Sequence, residues 1–163
     1  MIRSVIITAL CASTLFSGCA IPRSPEEHLF RAEAERGNAK AQHNLGVALA
    51  GWDNKEAIFW WRKAAEQGLA QSQFNLGWAY DHGGKGVERD SAQAVLWYRK
   101  AAEQGYDAAQ TNLGLLYHEG RGVEQDDDQA MYWYRKAAAQ SDSVAQGNIR
   151  EICKTKKQYP ECS

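Results

Sequence analysis

The sequence predicts an all-α chain of stacked helical repeats, and three observations predict it. The stretch Trp97-Tyr98-Arg99-Lys100-Ala101-Ala102-Glu103-Gln104-Gly105 has one copy beginning at Trp60 and another at Trp133, 37 and 36 residues away. A fixed period of this size marks units that stack on one another. Second, Ala94, Trp97, Tyr98, Ala101 and Ala102 form one apolar stripe at helical spacing, with Arg99, Lys100, Glu103 and Gln104 on the other side. Third, the ends agree with the stripe. Asp53-x-x-Glu56, Asp90-x-x-Gln93 and Asp126-x-x-Gln129 read as capping boxes, and Gly68 and Gly105 stand where a left-handed residue ends a helix.

A length of 163 residues leaves room for one domain, and the formal net charge of −1 gives no basic footprint for nucleic acid. The chain opens with Arg3, a short apolar run from Val5 to Phe16 and the small residues Ser17 and Gly18 before Cys19. This is the pattern of a secretory signal peptide over residues 1–18. Leu15-Phe16-Ser17-Gly18-Cys19 also resembles the bacterial lipobox, with Phe16 where Leu is usual. That resemblance implies lipidation of Cys19 as the mature first residue, and Ala20 after it implies the outer membrane, facing the periplasm. The other reading is an uncleaved membrane anchor, since about 20 residues span a bilayer. Residues 19–23 form a tether.

The repeat domain is expected over residues 24–153. Ser24-Pro25-Glu26-Glu27 reads as a helix start, and the helix runs to about Arg36 before Gly37. Aligned on Gly37, Leu29-Phe30-Arg31 matches Trp60-Trp61-Arg62, so this is a degenerate aromatic helix acting as an N-terminal cap. A second helix type precedes each aromatic helix. Ala41-Gln42-His43-Asn44-Leu45-Gly46, Ser72-Gln73-Phe74-Asn75-Leu76-Gly77 and Ala109-Gln110-Thr111-Asn112-Leu113-Gly114 are in register, and Ala145-Gln146-Gly147-Asn148-Ile149-Arg150 is a final half repeat. Glycine in a helix interior costs about 1 kcal/mol against alanine. Its recurrence predicts that a Trp- or Tyr-bearing helix presses on that spot, and Arg150 replaces it where no further helix follows. Glycine-rich connections around Val87 and Val123 join the two helix types in the second and third repeats, whereas the first has only Gly51-Trp52.

These residues resemble the Sel-one-like repeat family, relatives of the tetratricopeptide repeats. The matching positions are Leu76-Gly77, Tyr80, Gly86-Val87, Asp90, Ala94, Trp97-Tyr98, Lys100-Ala101-Ala102 and Gly105, with Leu113-Gly114 to Ala138 in the next repeat. The resemblance implies an all-α, right-handed superhelical solenoid of antiparallel helix hairpins that serves as a protein-binding scaffold, with no catalysis and no cofactor.

Of the four cysteines, Cys11 falls in the signal segment. In an oxidising compartment Cys153 and Cys162 pair across the tail, residues 154–163, either as a staple on the last helix or as a redox-active pair. Motifs of hydrolytic and nucleotide chemistry are missing from the sequence: Ser-x-x-Lys, Gly-x-Ser-x-Gly and His-Glu-x-x-His do not occur. Gly83-Gly84-Lys85-Gly86 lacks the Ser or Thr that a phosphate loop requires after Lys. His28, His43, His82 and His118 share no repeat column, so no metal spacing is present. Asp126-Asp127-Asp128 suits a helix N-terminus better than a calcium loop.

On the glycine helices the Gln and Asn columns repeat while three others vary: His43/Phe74/Thr111/Gly147, Val47/Trp78/Leu115/Glu151 and Ala50/Asp81/His118. Their spacing of four and three residues sets them on one face. His43, Val47, Phe74, Trp78, Asp81, Thr111, Leu115 and His118 are therefore the expected partner-binding residues, unless they pack between repeats instead. The function expected is a periplasm-facing lipoprotein that holds a protein or peptide in its groove. It resembles immunity proteins against secreted phospholipase effectors. The alternatives are an envelope or polysaccharide-export scaffold, or a β-lactamase-like hydrolase of the cysteine-rich repeat type.

Overall fold

A computed structural model describes residues 25–84, 86–156 and 158–162. The signal segment, Cys19, the tether and Ser24 lie outside the described residues. Helices follow one another in the order α1 (Pro25–Glu35), α2 (Ala39–Leu49), α3 (Asn54–Glu66), α4 (Ala70–His82), α5 (Ser91–Glu103), α6 (Asp107–Glu119), α7 (Asp127–Ala138) and α8 (Ser143–Thr155), with a short 3₁₀ turn at Pro160–Cys162. Among the described residues no helix is long and apolar enough to cross a membrane. Each helix packs on its neighbours in sequence, as a solenoid requires. Helices α4 and α6 also touch, which sets the glycine helices α2, α4 and α6 on the inner side of the stack.

The N-caps and terminal glycines form, but the capping boxes are one-sided, since the N–H groups of Asp53, Asp90 and Asp126 donate to the carbonyls of Leu49, Tyr80 and Tyr117. Asp53, Asp90 and Asp126 each accept a hydrogen bond from the backbone N–H three residues on. Gly37, Gly68 and Gly105 take φ of 95°, 91° and 90° after their helices. Ser141 holds the equivalent place after α7 with φ 71°, a left-handed conformation that a side chain adopts at a cost.

The core is the contact between the two helix types. A Cβ added to Gly46 would lie 2.5 Å from the Trp61 ring, one on Gly77 2.5 Å from Tyr98, and one on Gly114 2.7 Å from Tyr134. The missing side chain admits an aromatic ring against the helix backbone. Burial pushes the Tyr98 and Tyr134 phenols up, and each hydroxyl faces an asparagine of the next repeat, Asn112 or Asn148. Neither hydroxyl makes a hydrogen bond of ordinary geometry there. In α8 Arg150 takes the place of that glycine, and Gly147, in the column of His43, Phe74 and Thr111, has no neighbouring side chain nearer than 3.9 Å.

A glutamine ladder runs alongside. Gln42, Gln73 and Gln110 donate to the carbonyls of Ala34, Ala65 and Ala102 on the preceding aromatic helix, at 3.0, 3.1 and 3.1 Å. Their own amide oxygens accept from Gln67, Gln104 and Gln140 at 2.7, 2.7 and 3.0 Å. Every buried rung is thereby satisfied from both sides, and the exposed Gln146 ends the series.

The tail closes the open end. Cys153 on α8 is disulfide-bonded to Cys162, and Tyr159 is buried against the last repeat. The Tyr159 hydroxyl donates to Asp128 at 2.8 Å, and burial together with that carboxylate pushes its pKa up to about 12. Arg135 reaches Glu161 at 2.5 Å. The described tail residues are therefore packed on the last repeat, chiefly against α7 through Tyr159 and Glu161.

Two glycine substitutions separate packing from helix propensity. Gly77→Ala is expected to lower unfolding stability by about 1–3 kcal/mol, because overpacking outweighs the propensity gain. Gly147→Ala is expected to raise it by up to about 1 kcal/mol. Denaturant midpoints with unchanged m-values would show both. Replacing Cys153 and Cys162 by Ser should remove somewhat under about 3 kcal/mol in the same assay, as expected of a short closed loop.

Candidate functional site

The inner face carries the eight expected partner-binding residues, and the structure divides them. Val47 on α2 and Trp78 on α4 are 51 % and 49 % exposed. Leu115 on α6 is half-buried beside them in the same column. These three make an apolar strip across successive repeats. Trp78 is held flat by His82, whose ring stacks on it with centroids 4.5 Å apart and planes 19° from parallel, while His82 Nδ1 lies 3.0 Å from the Trp78 carbonyl oxygen.

The other five are engaged within the solenoid, which corrects the expectation of one uniform open face. His43 Nδ1 shares a 2.9 Å hydrogen bond with Ser72 Oγ on α4, and burial holds the imidazole below its ordinary pKa. Phe74 packs on Tyr98 and Tyr106, with ring centroids 5.8 and 5.1 Å away. Thr111, 5 % exposed, donates from Oγ1 to the Asp142 carboxylate at 2.9 Å, tying α6 to the N-cap of α8. Asp81, 7 % exposed, is ion-paired with Arg121 from the next repeat's connection. His118 Nδ1 meets Asp127 at 2.6 Å, and Lys156 pairs with the other oxygen of the same carboxylate. A half-buried polar group between repeats needs a partner, and each of these polar positions has found one 9 to 40 residues away in sequence.

Exposed apolar residues also lie outside the expected columns, Leu29 on α1 and Val144 on α8 among them. Trp52, in the short first connection, is 79 % exposed. Phe59, Leu96 and Tyr132 repeat one place before each aromatic-helix Trp on the outer face, with Lys63 and Lys136 over the rings of Phe59 and Tyr132. The strict register of these outer residues is itself visible in the sequence; their exposure is not, because they adjoin the buried stripe. Among the described residues no three His, Cys, Asp or Glu side chains converge as a metal site requires.

A stack of helix hairpins whose inner face mixes internal ties with an apolar strip defines a class, the repeat scaffolds that bind other macromolecules. Within that class the chain belongs to the Sel1 repeat family: the family model "Sel1 repeat" matches residues 39–69, 70–106 and 107–142. Each match joins a glycine helix to the aromatic helix after it. A protective antigen of uropathogenic Escherichia coli with an SLR fold is 39 % identical, with a TM-score of 0.73 over 80 % of this chain and 29 % of that one. The chain thus spans under a third of the length of that neighbour. A Sel1 repeat protein from Oxalobacter formigenes is 37 % identical, with a TM-score of 0.69 over 76 % of this chain and 96 % of that one. Cysteine-rich protein B of Helicobacter pylori, 21 % identical with a TM-score of 0.60 over 74 % of this chain and 95 % of that one, shares the fold. No curated protein matches the chain.

The internal ties carry a pH dependence. Burial opposes the Asp127 charge, yet hydrogen bonds from Lys156 and His118 hold its carboxyl below the usual range. Arg135 does the same for Glu161. Groups with depressed folded pKa contribute stability that is present above their unfolded values, about 3.9 and 4.3, and lost as pH falls through the folded ones. Thermal unfolding between pH 6 and pH 2 should show this loss, and Asp127→Asn should start from a lower melting temperature and fall less steeply.

Proposed function

We propose that the chain is an envelope binding module that holds a protein or peptide partner along the strip of Val47, Trp78 and Leu115. The observation that carries this reading is the sorting of the inner face. Five of its eight variable residues are engaged within the solenoid, and three apolar ones, two exposed and Leu115 half-buried, stand in register on three successive repeats. Exposed apolar residues aligned in this way gain by being covered, and a rigid indole flanked by aliphatic side chains is a common energetic centre of an interface. The Sel1 fold supports an interaction scaffold. The Cys153–Cys162 disulfide suits an oxidising compartment, and the N-terminal sequence supports attachment through Cys19 to the outer membrane on its periplasmic side. Neutralising a secreted phospholipase effector is the specific role we favour over assembly of envelope or export machinery. The hydrolase reading has weaker support, because it rests on cysteine-rich repeats and the described residues of this chain hold one disulfide.

Two measurements test the proposal. Labelled palmitate is expected in the wild-type protein and not in Cys19→Ser; label in both, or in neither, would remove the anchor. Immobilised protein is expected to retain a partner from envelope and secreted fractions. Trp78→Ser with Val47→Ser should lower that retention at least tenfold, in line with loss of one strong and one ordinary contact, with an unchanged circular-dichroism spectrum. Retention unaffected by the double substitution would move the site elsewhere, and hydrolysis of nitrocefin above blank would favour the enzyme.

A further inference from the structure

Next to Trp78 the stack departs from its own repeat. An apolar cavity of about 320 Å³ opens between the first and second repeats. Its walls include Ala50 at the end of α2, Ile58 and Trp61 of α3, Trp78 and Ala79 of α4, and Val87 of the connection; glycines and Asn54 complete the lining. Among the described residues no charged side chain lines it. The equivalent place between the second and third repeats has a bulkier, charged lining, and the space beside it is a polar one bounded by Asp81, His82, Arg89, Glu119 and Arg121. There Leu116 stands where the first junction has Ala79, and it is fully buried. Asp81, ion-paired with Arg121, stands where the first junction has Ala50. The short connection after α2, residues 50–53 against 83–90 in the next repeat, leaves the mouth uncovered from its own side.

Resting on the groove reading above, we propose that this cavity is the specificity pocket of the strip, and that it takes one uncharged aromatic side chain projected by a bound peptide or protein. Three observations set that chemistry. A charged group would meet no counter-charge among the described lining residues, which is costly in an apolar wall; the Asn54 amide oxygen is already engaged by the Gly51 N–H at 2.8 Å. Two indoles, Trp61 and Trp78, line the space and offer faces and edges to a third ring. Trp78 belongs to both the cavity and the open strip, so an occupant anchored here continues onto Val47 and Leu115. A side chain borne on a longer ligand uses that continuity, and a free small molecule does not.

The test uses the purified protein and the tripeptides Ac-Gly-X-Gly-NH2 with X as Trp, Leu, Lys or Asp, followed by amide and indole N–H shifts. The Trp probe is expected to move Trp61, Trp78 and Gly83 with a Kd of about 1 mM, the weak affinity expected of a single side chain. The Leu probe should be weaker, and the Lys and Asp probes at least tenfold weaker. Ala79→Leu copies what the next repeat already holds at Leu116, so it should fold normally and weaken the Trp probe at least tenfold. Ala50→Leu should do the same from the mouth. Equal binding by both variants, equal binding of all four probes, or no shift at about 10 mM would overturn the pocket. The groove and the pocket fail differently. Val47→Ser should weaken a full partner and leave the Trp tripeptide untouched. A partner lost in Val47→Ser but retained by Ala79→Leu leaves the groove standing and overturns the pocket. A Trp tripeptide lost as much in Val47→Ser as in Ala79→Leu places binding on the open strip and overturns the pocket as well.

Discussion

The whole stack depends on an aromatic ring lying where a side chain is missing. Trp61, Tyr98 and Tyr134 approach Gly46, Gly77 and Gly114 so closely that an alanine Cβ would sit within 2.7 Å of a ring atom. Glycine weakens the helix that carries it by about 1 kcal/mol, so each hairpin accepts a local loss for a contact made only in the folded stack. In the second and third repeats the ring then reaches through its own hairpin to the next repeat, where the Tyr98 or Tyr134 hydroxyl faces Asn112 or Asn148. One residue thus sets both the packing inside a repeat and its spacing to the following one. A hairpin with one of these contacts and no neighbour would leave the aromatic stripe half uncovered, which is why such units occur in series.

The glutamine ladder has a different part. Its hydrogen bonds link the C-terminal carbonyl ends of α1, α3 and α5 to α2, α4 and α6, and these to Gln67, Gln104 and Gln140. Each bond contributes modestly over the water it replaces, about 1 kcal/mol, but a buried amide left without one would cost more. The ladder therefore selects one register more than it adds stability: sliding one helix by a residue would strand several buried amides together. At the last repeat the ladder stops, the ring contact stops where Arg150 takes the glycine's place, and the tail is held by Tyr159 on Asp128, Glu161 on Arg135 and the disulfide.

How much of this is legible in one sequence follows from range. Stripe, caps and terminal glycines involve residues within about two turns of each other, and all three are written in the repeat itself. The glycine columns announced a large neighbour, and the aromatic pair one helix onward was the only candidate of the right size. The inner face was harder. Asp81 and His118 occupy one column and look equivalent, yet Asp81 is tied to Arg121 ahead of it and His118 to Asp127 within its own repeat. Thr111 could not reveal Asp142, 31 residues away. Helical periodicity identifies a face, but it is silent on which residues of that face a neighbour will consume. The exposure of Val47 and Trp78 emerged only when the ties around them were known.

The repeat also supplies the measure by which a site can be recognised in such a scaffold. Positions that must hold the stack together are constrained in every copy to the same size and polarity, as the Leu45, Leu76 and Leu113 column is. A position that changes volume between copies without a matching change opposite it leaves space. Ala79 against Leu116, and Ala50 against Asp81, are two such changes at one junction, and the shortened first connection is a third. Packing alone would favour filling that junction, since empty apolar space forfeits dispersion contacts. A void kept open beside an exposed tryptophan thus sets the first junction apart from its neighbour for a physical reason. The helices meet there with the same glycine-ring contact, through Gly46 and Trp61, so the space is not a failure of the stack. The framework is complete without the side chain that would occupy it, and that leaves the choice of occupant to a partner.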